Sequence, residues 1–297
     1  MEINLIGFHA RSINGLARSA SIPGVSLVEI KPAEIRKHNN ISPYDFDGRR
    51  FSIDHDFSSR VRDICGDLAI QLHVPSDKYL GGDSDQSLWQ ADPKDHGLIM
   101  ERLFMIEKLR SDYGIGVNVT MHPPAFRYHG ADVFSEEEAL ETGKELYAGI
   151  DKLLREGELG YQLNIENTLP VKRRMVGSLG YSSRNIIALL EGTEMIGITY
   201  DSGHAILSGL DPEDLFRTGR VRNIHLHSNN GIMHQDDHDD DQHFLATKDN
   251  LQTYDWHIER LRETGAPIVL EIKKMKGYEA ELTRYVENLS QELACRK

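Results

Sequence analysis

The chain holds only two cysteines in 297 residues, Cys65 and Cys295. That is too few for a disulfide scaffold and suits a reducing compartment; both read as packing or surface residues. Long hydrophobic runs are missing as well, since no segment reaches the roughly 20 apolar residues that span a bilayer. Met1 to Phe8 reads as a strand, not as a basic leader before an apolar stretch, so the expected location is the cytoplasm, away from membranes. Basic residues are in short supply, 34 Lys plus Arg against 47 Asp plus Glu. A formal charge of −13 opposes broad attraction to nucleic acid or anionic lipid, and any polyanion would need a local basic patch. No Pro/Gly/Ser-rich linker, low-complexity join or internal repeat divides the chain, and nothing in it points to a protein partner. It reads as one domain over residues 1–297, although the length would accommodate two.

What the chain does have is a recurrent pattern. Eight short β-rich runs, at residues 3–8, 25–30, 68–73, 116–121, 161–165, 196–200, 222–226 and 267–271, alternate with segments of helical spacing. The clearest helices are 97–110, 136–154 and about 278–293, with another starting near Asp56. Strand then helix, repeated, predicts an α/β fold, a single (β/α)8 TIM barrel whose strands are apolar inside the barrel and polar where they meet the catalytic loops. Six of the runs finish on or beside a metal-type ligand: His73, His122, Glu166, Asp201, the His225-Leu226-His227 pair and Glu271. Chance would scatter them, whereas a metal site at the C-terminal face of the strands collects them.

Each candidate has a plainer alternative. Glu166 and Glu271 end apolar strands, where a carboxylate is costly unless paired or cation-bound, yet either could be a surface residue just past its strand. Asp201 and His204 flank a Ser-Gly turn and can both face the barrel mouth; alternatively Asp201 caps the next helix and His204 packs. Strand alternation puts His225 and His227 on one face, or one of them just beyond the strand, and only one need be a ligand. The long loop 228–252 contains the Asp-x-His spacing twice, at Asp236/His238 and Asp241/His243. Imidazole plus carboxylate suits zinc, manganese or iron better than magnesium. Lys172, Arg173 and Arg174, just after Glu166, are a candidate anion-binding cluster or simply a solvated loop. Trp89 and Trp256 are most simply packing residues.

Seven motifs in order carry a resemblance: His73-Val74-Pro75-Ser76, His122-Pro123, Glu166-Asn167-Thr168, Asp201-Ser202-Gly203-His204-Ala205, His225-Leu226-His227, Asp241-Gln242-His243 and Leu270-Glu271. With them the chain resembles the xylose-isomerase-like barrel superfamily (AP endonuclease family 2), within it endonuclease IV and the sugar-phosphate isomerase/epimerase relatives. The resemblance implies one cation on His73, His122 and Glu166, a second on Glu166, Asp201, His227 and Glu271, and a third on His204, Asp241 and His243. It favours His227 over His225, because His227 directly precedes the loop, and Asp241/His243 over Asp236/His238, because Phe244-Leu245 follows. The glycine-rich stretch of DNA-cleaving members is replaced by Leu169-Pro170-Val171-Lys172-Arg173-Arg174-Met175. The expected substrate is therefore a small molecule or phosphoester, not duplex DNA.

The leading expectation is a hydrolase using two or three divalent ions, zinc or manganese before iron, with Glu166 and Glu271 as catalytic carboxylates. A sugar or sugar-phosphate isomerase/epimerase with one cation is the alternative. A non-catalytic metal-binding barrel is the third, because fold does not fix function.

Overall fold

The computed structural model describes residues 5–32, 35, 39, 44–46, 51–74, 93–127, 135–169, 171–172, 176–229, 242–272 and 277–295. Eight parallel strands close a barrel in sequence order: β1 (Ile6–Ala10), β2 (Leu27–Ile30), β3 (Ala69–Val74), β4 (Ile115–Met121), β5 (Gln162–Glu166), β6 (Gly197–Asp201), β7 (Val221–His225) and β8 (Ile268–Leu270), with β8 pairing back on β1 through Ile6–Ile268 and Phe8–Leu270. All eight expected runs are strands. Because every strand is parallel, their C-terminal ends share one rim, and the loops leaving it converge.

The helices follow from local chemistry. The helix Glu136–Glu156 starts at a capping box between Ser135 and Glu138, with three glutamates in its first turn. It stops at Gly157, whose φ of 77° lies in the left-handed region. Its apolar side, including Leu146, Ile150 and Leu154, is buried. The expected helix near Asp56 is His55–Cys65, capped by Asp54; the last is Glu279–Ala294. Cys65 is buried and Cys295 exposed. Trp256 packs edge-on against Phe216 and His257, while Trp89 lies outside the described residues. The connection after β2 carries an unanticipated hairpin, Tyr44–Phe46 with Phe51–Ile53. A small antiparallel sheet of Ala125–Arg127, Val176–Ser178 and Val171–Lys172 joins the loops after β4 and β5.

One expectation is corrected. The lumen is largely polar, with Leu27 and Val269 facing it from the N-terminal part of the strands, and most apolar strand residues face the helices. Hydrogen bonds between strands that are not neighbours must cross the lumen, and several do. The hydroxyls of Thr120 on β4 and Thr199 on β6 meet at 2.9 Å, and Asn223 on β7 donates to Thr120 at 3.1 Å. Between the neighbouring strands β4 and β5, Asn164 donates to Asn118 at 2.5 Å. A buried hydroxyl or amide left without a partner costs about 1–3 kcal/mol, so such a lumen is stable only because its groups match one another. The alternate residues, among them Val119, Leu163, Ile198, Tyr200 and Ile224, are buried on the outer face of the barrel.

Candidate metal centre

The parallel register delivers His9 from β1, Glu29 from β2, His73 from β3, Glu166 from β5, Asp201 from β6 and His225 from β7 into the lumen at its C-terminal end, with His122 and Glu271 one step past β4 and β8. All eight are buried, none more than 8 % exposed.

Glu166 is the hub. Its Oε2 lies 2.8 Å from His122 Nε2 and 3.2 Å from His73 Nε2, and those two nitrogens are 3.1 Å apart. Its Oε1 lies 2.7 Å from His225 Nδ1. Ligand atoms around one cation, at bonds of about 2.1 Å, are spaced about 3.0 Å along an octahedral edge and about 3.4 Å along a tetrahedral one. The His73, His122 and Glu166 atoms already have that spacing. The expected grouping of these three is what the fold assembles.

Asp201 is the helix cap considered for it, and its carboxylate also turns into the site. Its Oδ1 accepts from the His204 backbone N–H at 2.7 Å, capping the helix Ser202–Ser208, while the carboxylate also accepts from His227 Nε2 at 2.9 and 3.1 Å. His204 Nδ1–H donates to the Asn167 carbonyl at 2.9 Å and sits 3.9 Å from Glu166. Such backbone tethers fix the tautomer and leave Nε2 as the ligand atom. Gly203 is required beside them, because a Cβ there would run into the His227 imidazole.

The end of the long loop is pinned from outside. Ser228 and Phe244 exchange backbone hydrogen bonds at 2.9 Å each, and Asn229 Oδ1 accepts from Gln242 N at 2.6 Å. This seats His243, whose φ of 52° is left-handed, unusual for a side chain of this size. Its Nδ1–H donates to the Glu271 carbonyl at 3.0 Å. His227, His243 and Glu271 offer ligand atoms within 4.8 Å of one another. Asp241, and the alternative pair Asp236 and His238, lie outside the described residues, as do Arg173 and Arg174; Lys172 is placed by its backbone alone.

Three participants escaped the sequence reading, and a fourth, His225, was placed behind His227. His225 reaches more carboxylates than His227 does: Glu166 at 2.7 Å, Glu29 at 3.1 Å, Glu271 at 3.4 Å and Asp201 at 3.6 Å. Glu29 carries no terminal signal, although a carboxylate between Val28 and Ile30 is itself a warning of a partner. His9 donates from Nδ1 to Glu271 Oε1 at 2.9 Å; it lay beyond the expected end of the first strand. Arg11, partly exposed at the rim, stands 3.4 Å from the same oxygen.

Burial would push the carboxyls of Glu166 and Glu271 up, but the imidazoles around them outweigh it and hold both well below the ordinary range. Asp201 is held down to about 2 by His204 and His227 in the same way. Conversely, burial pulls His73 and His225 down, yet Glu166 and Glu29 overcome it and hold both above the ordinary imidazole value. The field that raises them equally favours a divalent cation, and the mixed imidazole and carboxylate donors fit zinc, manganese or iron. The four groups of ligand atoms within 4.8 Å overlap, sharing Glu166, Glu271 and His73 between them.

No family model and no curated protein matches the sequence. Solved structures match over nearly their whole length. A D-tagatose 3-epimerase-like protein is 18% identical with a TM-score of 0.67, covering 98% of this chain and 100% of its own. An AP endonuclease, family 2, from Brucella melitensis is 12% identical with a TM-score of 0.63, covering 96% and 98%. The IOLI protein with a binding zinc atom is 13% identical with a TM-score of 0.59, covering 98% and 95%. Sugar isomerases and epimerases outnumber the endonuclease among such neighbours. The fold of this chain is the (β/α)8 TIM barrel that these structures share.

Proposed function

We propose that the protein is a metal-dependent hydrolase whose substrate is a phosphoester or a related small polar molecule. The observation that carries this reading is the division of Glu166: one oxygen faces His73 and His122, the other His225, so one carboxylate serves two separate donor sets. His73, His122 and Glu166 would hold one cation; Glu166, Asp201, Glu271 and His225 a second, with His225 taking the place first considered for His227. His204, His227 and His243, with Asp241 by resemblance, would hold a third. Bound cations supply Lewis acidity, lowering the pKa of a water and neutralising charge on the leaving oxygen.

The chain itself contributes orientation and proton control. The tethers from Asn167 O to His204 and from Glu271 O to His243 keep those rings from rotating. Glu271, held at Oε1 by His9, is the carboxylate we assign to proton transfer, and Glu166 the one we assign to electrostatic bridging. Arg11 at the rim, together with Lys172, Arg173 and Arg174 in the loop after β5, would meet an anionic substrate; the barrel as one domain over 1–297 supplies the rest of the rim.

A second reading is a sugar or sugar-phosphate isomerase/epimerase with one cation on Glu166, Asp201, His225 and Glu271. The D-tagatose 3-epimerase-like neighbour, with the higher TM-score of those compared above, favours it. Here Glu166 and Glu271 would move the proton. The two separate by isotope: zinc- or manganese-loaded protein should place 18O from labelled water in a phosphoester product. Deuterium uptake into a ketose or its phosphate, without hydrolysis, would overturn the hydrolase in favour of the isomerase.

A further inference from the structure

Glu29 is wholly buried in the lumen on β2 and stands on the opposite side of two imidazoles from Glu166. Its Oε2 is 3.1 Å from His225 Nε2, across the barrel, since β2 and β7 are not paired. Its Oε1 is 3.4 Å from His73 Nδ1, on the neighbouring β3, a longer ion-pair contact without hydrogen-bond geometry. The far nitrogens of the same rings face different oxygens of Glu166: His73 Nε2 lies 3.2 Å from Oε2 and His225 Nδ1 2.7 Å from Oε1. Two carboxylates and two imidazoles therefore form a closed ring, with both rings bracketed end to end.

An ionised carboxylate accepts and does not donate. When cations take the nitrogens that face Glu166, the one proton left on each ring is the one that faces Glu29, on Nδ1 of His73 and on Nε2 of His225. These are opposite tautomers, and one side chain imposes both. Ligating histidines are commonly fixed by a carboxylate on the second nitrogen, and loss of such a partner weakens metal binding by about 10–100-fold. Here one carboxylate faces both rings, which the multinuclear reading gives to two cation positions.

We propose that Glu29 is the positioning residue of the centre: it holds His73 at Nδ1 and His225 at Nε2, and so presents His73 Nε2 and His225 Nδ1 to separate cations on the two sides of Glu166. This rests on the multinuclear reading above.

The test is Glu29→Gln, with Glu29→Ala beside it, on full-length protein titrated with zinc against a competing chelator. Glutamine keeps the shape and one accepting oxygen, but its NH2 group cannot accept from the other ring. One zinc position should weaken about 10–100-fold while another stays within a few-fold of wild type, with the melting temperature little changed. A purely structural residue would lower the melting temperature and leave the zinc count alone. In zinc-free wild type labelled at the histidines, solvent-protected N–H signals are expected from His73 Nδ1 and His225 Nε2 and should disappear in Glu29→Ala. Unchanged zinc affinities at every position in Glu29→Gln would overturn the proposal alone. Wild type that binds no zinc, yet shows the two N–H signals and their loss, would overturn the multinuclear reading and reduce Glu29 to a structural clamp.

Discussion

The imidazole of His243 lies flat on that of His227, with ring centroids 4.4 Å apart and planes within 19° of parallel. The two residues come from opposite ends of a long loop, and the backbone at His243 is turned into the left-handed region to make the stack. Asparagine tolerates that conformation better than other non-glycine residues. His243→Asn is therefore expected to keep the fold while removing one cation position. His243→Ala should lose the same ion and a further ~1 kcal/mol of stability from the backbone. Elemental analysis with thermal melts checks both, and a full complement of metal in His243→Asn would remove His243 from the centre.

Gly203 gives a second prediction. A methyl group there would collide with the His227 ring, so Gly203→Ala should displace the imidazole from Asp201 and cost about 1–3 kcal/mol, with loss of bound metal. Gly149→Ala is the control. It lies on the exposed side of the helix Glu136–Glu156 with nothing within 4 Å of the new Cβ, and should stabilise by about 0.5–1 kcal/mol with metal content unchanged. Normal metal content in Gly203→Ala would mean that His227 can move without consequence.

The strands and the cluster of residues at their ends were legible because apolar runs ended on His, Asp or Glu at regular intervals. The lumen was not. Thr120, Thr199 and Asn223 look like ordinary polar interruptions in a strand until the closed barrel brings them together across its axis. Glu29 and His225 were obscured for the same reason, as their partnership joins β2 to β7 across 196 residues. His9 was missed through a strand that runs to Ala10, two residues further than expected. Helix caps, by contrast, are local, and Asp201 as a cap was readable beside Asp201 as a ligand.

Away from the centre, His257 predicts a pH effect. Its Nδ1–H donates to the Thr253 carbonyl at 2.8 Å and its Nε2 accepts from the Tyr200 hydroxyl at 2.9 Å, so the folded ring is neutral. Burial pushes it down to about 4, against the pull of the Thr253 carbonyl. The folded value is depressed, so below the unfolded value of about 6.5 the unfolded chain takes up a proton that the folded chain refuses, and stability falls with pH. Relative to His257→Gln, wild type should lose about 2 kcal/mol between pH 7 and pH 5. Denaturant titrations of both proteins across that window measure the difference; parallel curves would show that the folded ring accepts the proton.

Net charge sets a further expectation. An acidic excess of 47 − 34 = 13 should keep duplex DNA weakly bound at physiological salt, with a Kd weaker than roughly 10⁻⁶ M. A gel shift showing tight binding, with incision at an abasic site, would instead make DNA the substrate.

The central claim is that Glu166 serves more than one cation. It is tested most directly by anomalous scattering from crystals of zinc- or manganese-loaded protein, with elemental analysis of the same sample. Two or three peaks per chain are expected, two of them flanking the Glu166 carboxylate on its His73/His122 and His225 sides. A single peak, with His73 and His122 contacting no ion, would contradict the account.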